Sequence, residues 1–186
     1  MTIEDSLVAV LQALEATETP HMVVGSFSTN FYGRRRSTED ADLVVQVGPK
    51  TISQLSEKIG KELKIDPQMS FETATGTMRH IVEVVGTEFK IELFHLSDDD
   101  HDQERFRRRR RVAYLGREVW LPTVEDVIVT KLRWADRACR KKDRNDLQDV
   151  IAVRGKKIDW DYVNAWADRH GTRALLDEIR NSIPPI

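Results

Sequence analysis

The chain has 186 residues, of which 32% are charged, yet its formal net charge is only −2. Charge this evenly balanced excludes whole-surface electrostatic binding of nucleic acid or membrane and leaves only local basic patches. The length suits one α/β domain, or a core with a helical appendage, large enough to bury a real interior.

Taken in chain order, Thr2 opens a helix, with Asp5 in its first turn and Leu7, Val10, Leu11 and Leu14 along one face. Glu4 and Asp5 and the lack of a long apolar run argue against a signal peptide. No segment approaches the roughly 20 apolar residues of a bilayer span. After Pro20, His21-Met22-Val23-Val24 is a buried strand closed by Gly25. A short helix then runs from Ser26 to Tyr32, with Gly33 as its stop. Leu43-Val44-Val45-Gln46-Val47 is a second strand, followed by a helix over 51–63.

Segments 78–85 and 88–96 flank Gly86-Thr87 and form a hairpin. In its second arm Phe89, Ile91, Leu93 and His95 alternate with Lys90, Glu92 and Phe94. A charged link over 97–111 leads to short strands at 112–115 and 118–121. From Thr123 the pattern turns helical, with Glu125 and Asp126 in the first turn. Further helices are expected at 143–153, 159–169 and 172–181. The composition changes near Pro122, which divides a mixed α/β core at 1–121 from a packed C-terminal helical region at 122–186. The single Cys139 excludes an internal disulfide framework and suits a reducing cytosol. It lies among Arg137, Arg140 and Lys141, whose charges would favour a thiolate, but with no histidine nearby in sequence it reads as an ordinary helix cysteine.

The chemistry centres on Asp40-Ala41-Asp42. In an extended segment alternate side chains share a face, so both carboxylates point the same way and can hold one divalent cation. Two carboxylates this close repel, and a cation relieves them. An isolated Asp-x-Asp more often marks a solvated turn; three other features weigh against that here. Gly25-Ser26 lies between a strand and a helix, where backbone N–H groups and the helix dipole suit a triphosphate, or where Ser26 simply caps the helix. Glu92 sits on a strand that can neighbour the aspartates and offers a third carboxylate. Lys131 falls on the helix face of Val127, Ile128 and Leu132, as a site residue or with its stem snorkelling. The arginines from 105 to 111 form either a solvated, self-neutralising loop with the acidic stretch before them or a phosphate-tracking surface. Gly48-Pro49-Lys50-Thr51 lacks the glycine spacing of a P-loop, and the five histidines show no zinc spacing.

These segments resemble minimal nucleotidyltransferases of the polymerase-beta-like superfamily. The closer likeness is to AbiEii/MenT-type toxins, carried by Arg36, Thr38, Asp40 and Asp42 in the order Arg-x-Thr-x-Asp-x-Asp. Lys90-Ile91-Glu92-Leu93, the helix from Pro122 to Leu132, and Asn145-Asp146-Leu147-Gln148-Asp149-Val150 resemble three further family segments. Glu92 stands where aspartate is common, and Asn145 where a basic residue is usual. The resemblance implies a nucleotidyltransferase fold, a mixed sheet flanked by helices with a C-terminal helical region. It further implies transfer of a nucleoside monophosphate from an NTP to an acceptor hydroxyl in a cytoplasmic protein. Asp40, Asp42 and Glu92 would hold Mg²⁺ or Mn²⁺. Gly25, Ser26, Arg36, Thr38, Lys131 and Asp146 would bind the nucleotide, Lys131 also serving catalysis. RNA, tRNA or protein would be the acceptor, with an antitoxin as partner. The alternatives are an antibiotic- or small-molecule-modifying enzyme, or a degenerate nucleotide-binding protein.

Overall fold

The computed structural model describes residues 1–73, 76–138 and 141–183; Cys139 lies outside the described residues. The chain forms two compact units, Met1–Phe27 with Ser37–Leu121, and Ser28–Arg36 with Pro122–Ile186. Among the described residues no helix is long and apolar enough to cross a membrane.

The first unit is a mixed sheet with helices. Helix α1 (Ile3–Ala16) starts at a capping box in which Thr2 and Asp5 exchange side-chain and backbone hydrogen bonds. It buries Leu7, Val10, Leu11 and Leu14. Strand β1 (His21–Val24) runs into helix α2 (Gly25–Tyr32), and β2 (Asp40–Val45) follows. Helix α3 (Thr51–Lys58) is shorter than its pattern suggested. At Ile59 the backbone turns extended, and Leu63-Lys64-Ile65 becomes strand β3 (Leu63–Ile65), both of its apolar residues buried. Strand β4 (Ser70–Glu72) precedes the expected hairpin of β5 (Thr77–Val84) and β6 (Lys90–His95).

The sheet order is β1-β2-β6-β5-β3, with β4 also on β5. Strand β2 is interior, antiparallel to β1 and parallel to β6. Ala41, Leu43 and Val45 alternate onto one face together with Ile91 and Leu93, all fully buried, and α1 packs against these two strands. The opposite face carries Met22, Val24 and Val44 beside Asp40 and Asp42. Phe106 completes the apolar part of that face, with Phe94, Leu96 and Trp120 packed on it.

Phe106 comes from the segment read as a charged link, which is helix α4 (Asp100–Arg108). Asp99 caps it by accepting from the backbone N–H groups of His101 and Asp102 at 3.0 and 3.1 Å. Strands β7 (Arg110–Tyr114) and β8 (Arg117–Leu121) form a separate antiparallel pair.

The second unit is helical: α5 (Val124–Ala138), α6 (Lys141–Arg154), a 3₁₀ turn at Gly155–Lys157, α7 (Trp160–His170) and α8 (Arg173–Ser182). Ile128, Leu132, Leu147, Val163 and Leu176 form its core. Thr123 Oγ1 donates to Asp126 Oδ2 at 2.7 Å as α5 begins, and the hydroxyl of Tyr162 in α7 reaches Asp126 Oδ1 at 2.6 Å. The last carbonyls of α2, Phe31 and Tyr32, accept from the Arg154 guanidinium, which satisfies a helix end that would otherwise be orphaned.

On the apolar face of the β5–β6 pair, His80 Nδ1 lies 3.0 Å from His95 Nε2 and the rings stack. Burial lowers both below the ordinary 6.5; the Asp66 charge and the Pro67 carbonyl partly restore His80, and the His80 charge lowers His95 further. Burial also lowers His21, against the opposing hydrogen bond to the Thr19 carbonyl. A depressed folded-state pKa means that the unfolded chain binds protons first as pH drops. Stability is therefore full above about 6.5 and is lost as pH falls from there through the folded values. Melting temperature is expected to fall between pH 7.5 and 5.5, and His95→Gln should flatten that slope; identical slopes would remove the pair from the effect.

Candidate active site

Two charged clusters stand out, one in each unit. In the first unit, Asp40 and Asp42 share a face of β2, and Asp42 is in register with Glu92 on the parallel strand β6. All three carboxylates therefore project from the same side of the sheet. Thr38 Oγ1 donates to Asp40 Oδ1 at 2.7 Å, which fixes the rotamer of that carboxylate. Asp42 is paired with Val24 at the end of β1, and its carboxylate lies over Gly25. Gly25 has φ +59°, and a methyl group there would collide with Asp42 Oδ2. The glycine thus meets two demands, a left-handed backbone and the close approach of a side chain. Ser26 is buried in the first turn of α2.

Glu92 has a resident partner. Arg79 Nη1 donates to Glu92 Oε2 at 2.7 Å and lies 2.6 Å from Glu72 Oε2. Burial raises the Glu92 carboxyl above the ordinary glutamate range; Arg79 pulls it back, and the Asp40 charge pushes it further up. Among the described residues no group of three or more His, Cys, Asp or Glu is gathered to hold a metal ion. The aspartate pair is nevertheless a hard oxygen donor set of the kind that suits Mg²⁺ or Mn²⁺.

Helix α4, which carries Arg105, Arg107 and Arg108, packs on this same sheet face through Phe106, against Met22, Val24 and Val44. Several are already engaged. Arg105 is buried, 2.9 Å from Asp102, and Arg107 pairs with Glu104. Arg109 lies over the rings of Phe106 and Trp120 at 4.1 and 5.0 Å. Arg110 and Arg111 are exposed.

In the second unit, Lys131 is 5% exposed, with Nζ 2.7 Å from Asp143 Oδ1 and 2.8 Å from Asp146 Oδ2. Arg36 grips Asp146 with both Nε and Nη2, at 3.0 and 3.2 Å. Asn30 holds the Arg36 backbone in turn, accepting from its N–H and donating to its carbonyl. Burial would raise Asp146, but the Arg36 hydrogen bonds and Lys131 outweigh it and hold the carboxyl below its usual range. Lys131, Arg36 and Asp146, singled out in the sequence, thus meet in one network. Asp143 was not singled out; its signal was the three-residue step to Asp146, which puts both on one face of α6. Arg79 and Glu72 were also missed, since neither lies in a motif.

A mixed sheet flanked by helices and followed by C-terminal helices is the nucleotidyltransferase fold. The antibiotic-resistance factor ANT(2'')-Ia is similar over 96% of this chain and 96% of its own, at 12% identity and a TM-score of 0.62. Its structure in complex with adenylyl-2''-tobramycin matches 91% of this chain and 99% of its own, at 13% identity and a TM-score of 0.62. An antigenic nucleotidyltransferase-like protein from Paracoccidioides brasiliensis matches 97% and 94%, at 18% identity and a TM-score of 0.59. At these identities the likeness is one of fold. Residues 3–174 match the model of one family, and the chain belongs to it: the nucleotidyl transferases of unknown function, DUF2204. No curated protein matches the chain by sequence.

Proposed function

We propose that the protein transfers a nucleoside monophosphate from an NTP to an acceptor hydroxyl, with Asp40 and Asp42 holding a divalent cation, Mg²⁺ or Mn²⁺. The observation that carries this reading is the alignment of Asp40, Asp42 and Glu92 on one sheet face beside Gly25. A bound cation supplies neutralisation of phosphate charge. Thr38 holds Asp40 in its rotamer. Ser26 and the turn around it face the triphosphate. Glu92 supplies the third carboxylate and takes the proton of the acceptor hydroxyl. That oxygen attacks the α-phosphorus in line, the bond to the β-phosphate oxygen breaks, and pyrophosphate leaves.

The acceptor is the finer question. A toxin-like role on RNA or protein follows the resemblance of the Arg36-to-Asp42 run. A small-molecule acceptor is the second reading, and one observation favours it: Arg105, Arg107 and Arg109 are committed to partners within their own unit. The neighbour ANT(2'')-Ia, solved with adenylyl-2''-tobramycin, belongs to that class. The test is incubation of the protein, with Mg²⁺ or Mn²⁺, with each α-labelled NTP and total RNA, total protein or aminoglycosides. Label is expected to move to one acceptor class and to stay on the nucleotide with Asp42→Asn. Label transferred to none of them would overturn the proposal.

A further inference from the structure

Among the described residues four arginines bury an Nε without a hydrogen bond: Arg79, Arg105, Arg109 and Arg117. Three of them are paired with carboxylates, Arg79 with Glu72 and Glu92, Arg105 with Asp102, and Arg117 with Glu15. Arg109 is the exception. Its Nη1 donates to the Phe106 carbonyl at 2.5 Å, and its Cζ lies 4.1 Å from the Phe106 ring centre and 5.0 Å from that of Trp120. It has no carboxylate partner among the described residues. Two rings and a carbonyl fix the guanidinium and attract it, but they leave its charge uncancelled at a part-buried position. Burial accordingly holds Arg109 below the ordinary arginine range. A second cation stands beside it. Arg111 lies directly opposite Trp120 in the register of β7 and β8, with its Cζ 5.7 Å from the same ring. Arg110 alternates to the other face of that pair. Glu118, two residues before Trp120 on the shared face, forms no ion pair with either arginine. Phe106 and Trp120 in turn pack with Met22, Val24 and Val44. Val44 stands one two-residue repeat, about 7 Å, beyond Asp42 on the carboxylate face of β2.

We infer that Arg109 and Arg111, set on Trp120, form an anion site on the carboxylate side of the first unit, and that it takes a phosphate group of the acceptor. The acceptor is then an anion rather than a polycation. Guanidinium donors match phosphate oxygens in geometry as well as charge, and Nη2 of Arg109 and the whole fork of Arg111 make no hydrogen bond within the described residues. Because Arg105 and Arg107 are paired with Asp102 and Glu104, the site suits one phosphate and not a track of them. The acceptor role rests on the nucleotidyl transfer proposed above; the binding of phosphate does not.

The experiment titrates ribose 5-phosphate and a single-stranded RNA oligonucleotide into the protein in EDTA, so that no metal takes part, and reads binding by calorimetry. Ribose is the uncharged control and is expected not to bind. Binding of ribose 5-phosphate assigns the site to a free phosphate ester, and binding of the RNA alone assigns it to a nucleic-acid acceptor. Arg109→Gln should weaken that binding about tenfold to a hundredfold, the worth of one charge-assisted hydrogen bond. Arg111→Gln changes an exposed residue and should weaken it about twofold to fivefold, which keeps the test decisive even where Arg109→Gln fails to fold. No binding of either probe, or binding that neither variant changes, would overturn the inference. Failure of the underlying reading looks different: phosphate binding in EDTA that depends on Arg109 and survives Asp42→Asn, while no label leaves any NTP for any acceptor, keeps the anion site and removes its acceptor role.

Discussion

Asp42→Asn is expected to lose Mg·NTP affinity by about two orders of magnitude, because an amide cannot replace a carboxylate opposite a divalent ion and one charged contact is worth roughly 1.5–3 kcal/mol. The change is nearly isosteric, so the fit over Gly25 is kept. It also relieves the repulsion between Asp42 and Asp40 on one strand face, so the fold should hold or gain slightly. Calorimetry with a non-hydrolysable NTP separates the two effects. Equal affinity in variant and wild type would end the assignment of Asp40 and Asp42 to a metal.

Lys131→Ala carries the largest expected cost in stability. Its ammonium is enclosed between Asp143 and Asp146, and removing it strands buried charge. Breaking a buried pair in this way costs about 3–5 kcal/mol, against which the better helix propensity of alanine returns only a few tenths. For a chain of this size that is a fall in melting temperature of about 10 °C or more. Adding Asp143→Asn should recover part of the loss, since it removes one of the stranded charges. A variant that melts like wild type but has lost NTP affinity would instead place Lys131 in the nucleotide site expected from the sequence.

The aspartate pair was legible because a two-residue period has only one structural meaning in a strand, and Glu92 because the hairpin around Gly86-Thr87 fixes which face it takes. Helix α4 was not. Its buried residues are His101, Arg105 and Phe106, so the apolar stripe that announces a helix is almost absent, and only the cap at Asp99 marked it. Strand β3 is too short to show alternation; in the sequence its first residue, Leu63, reads as the end of the helix before it, and the other two carry no element. Arg79 sits on β5 among ordinary strand residues, and its significance lies in what β4 and β6 bring beside it. Partners set by strand register across a sheet carry no local signal. The Lys131 network joins residues 12 and 15 positions apart, and Arg36 and Asp146 are 110 apart, so the residues were visible singly but their pairing was not.

Because Ser28–Arg36 belongs to the second unit, that unit is assembled from segments made far apart in time. As the chain leaves the ribosome, Arg36 emerges long before Asp146, and Tyr32 waits for the Pro122 carbonyl that its hydroxyl will bond at 2.8 Å. Closing such distant pairs costs loop entropy before any contact offsets it. A cut at Pro122, attractive from the change in composition, would give a C-terminal fragment without Asn30, Tyr32 or Arg36. Such a fragment would carry Asp146 with half its cations missing and Arg154 with no helix end to cap.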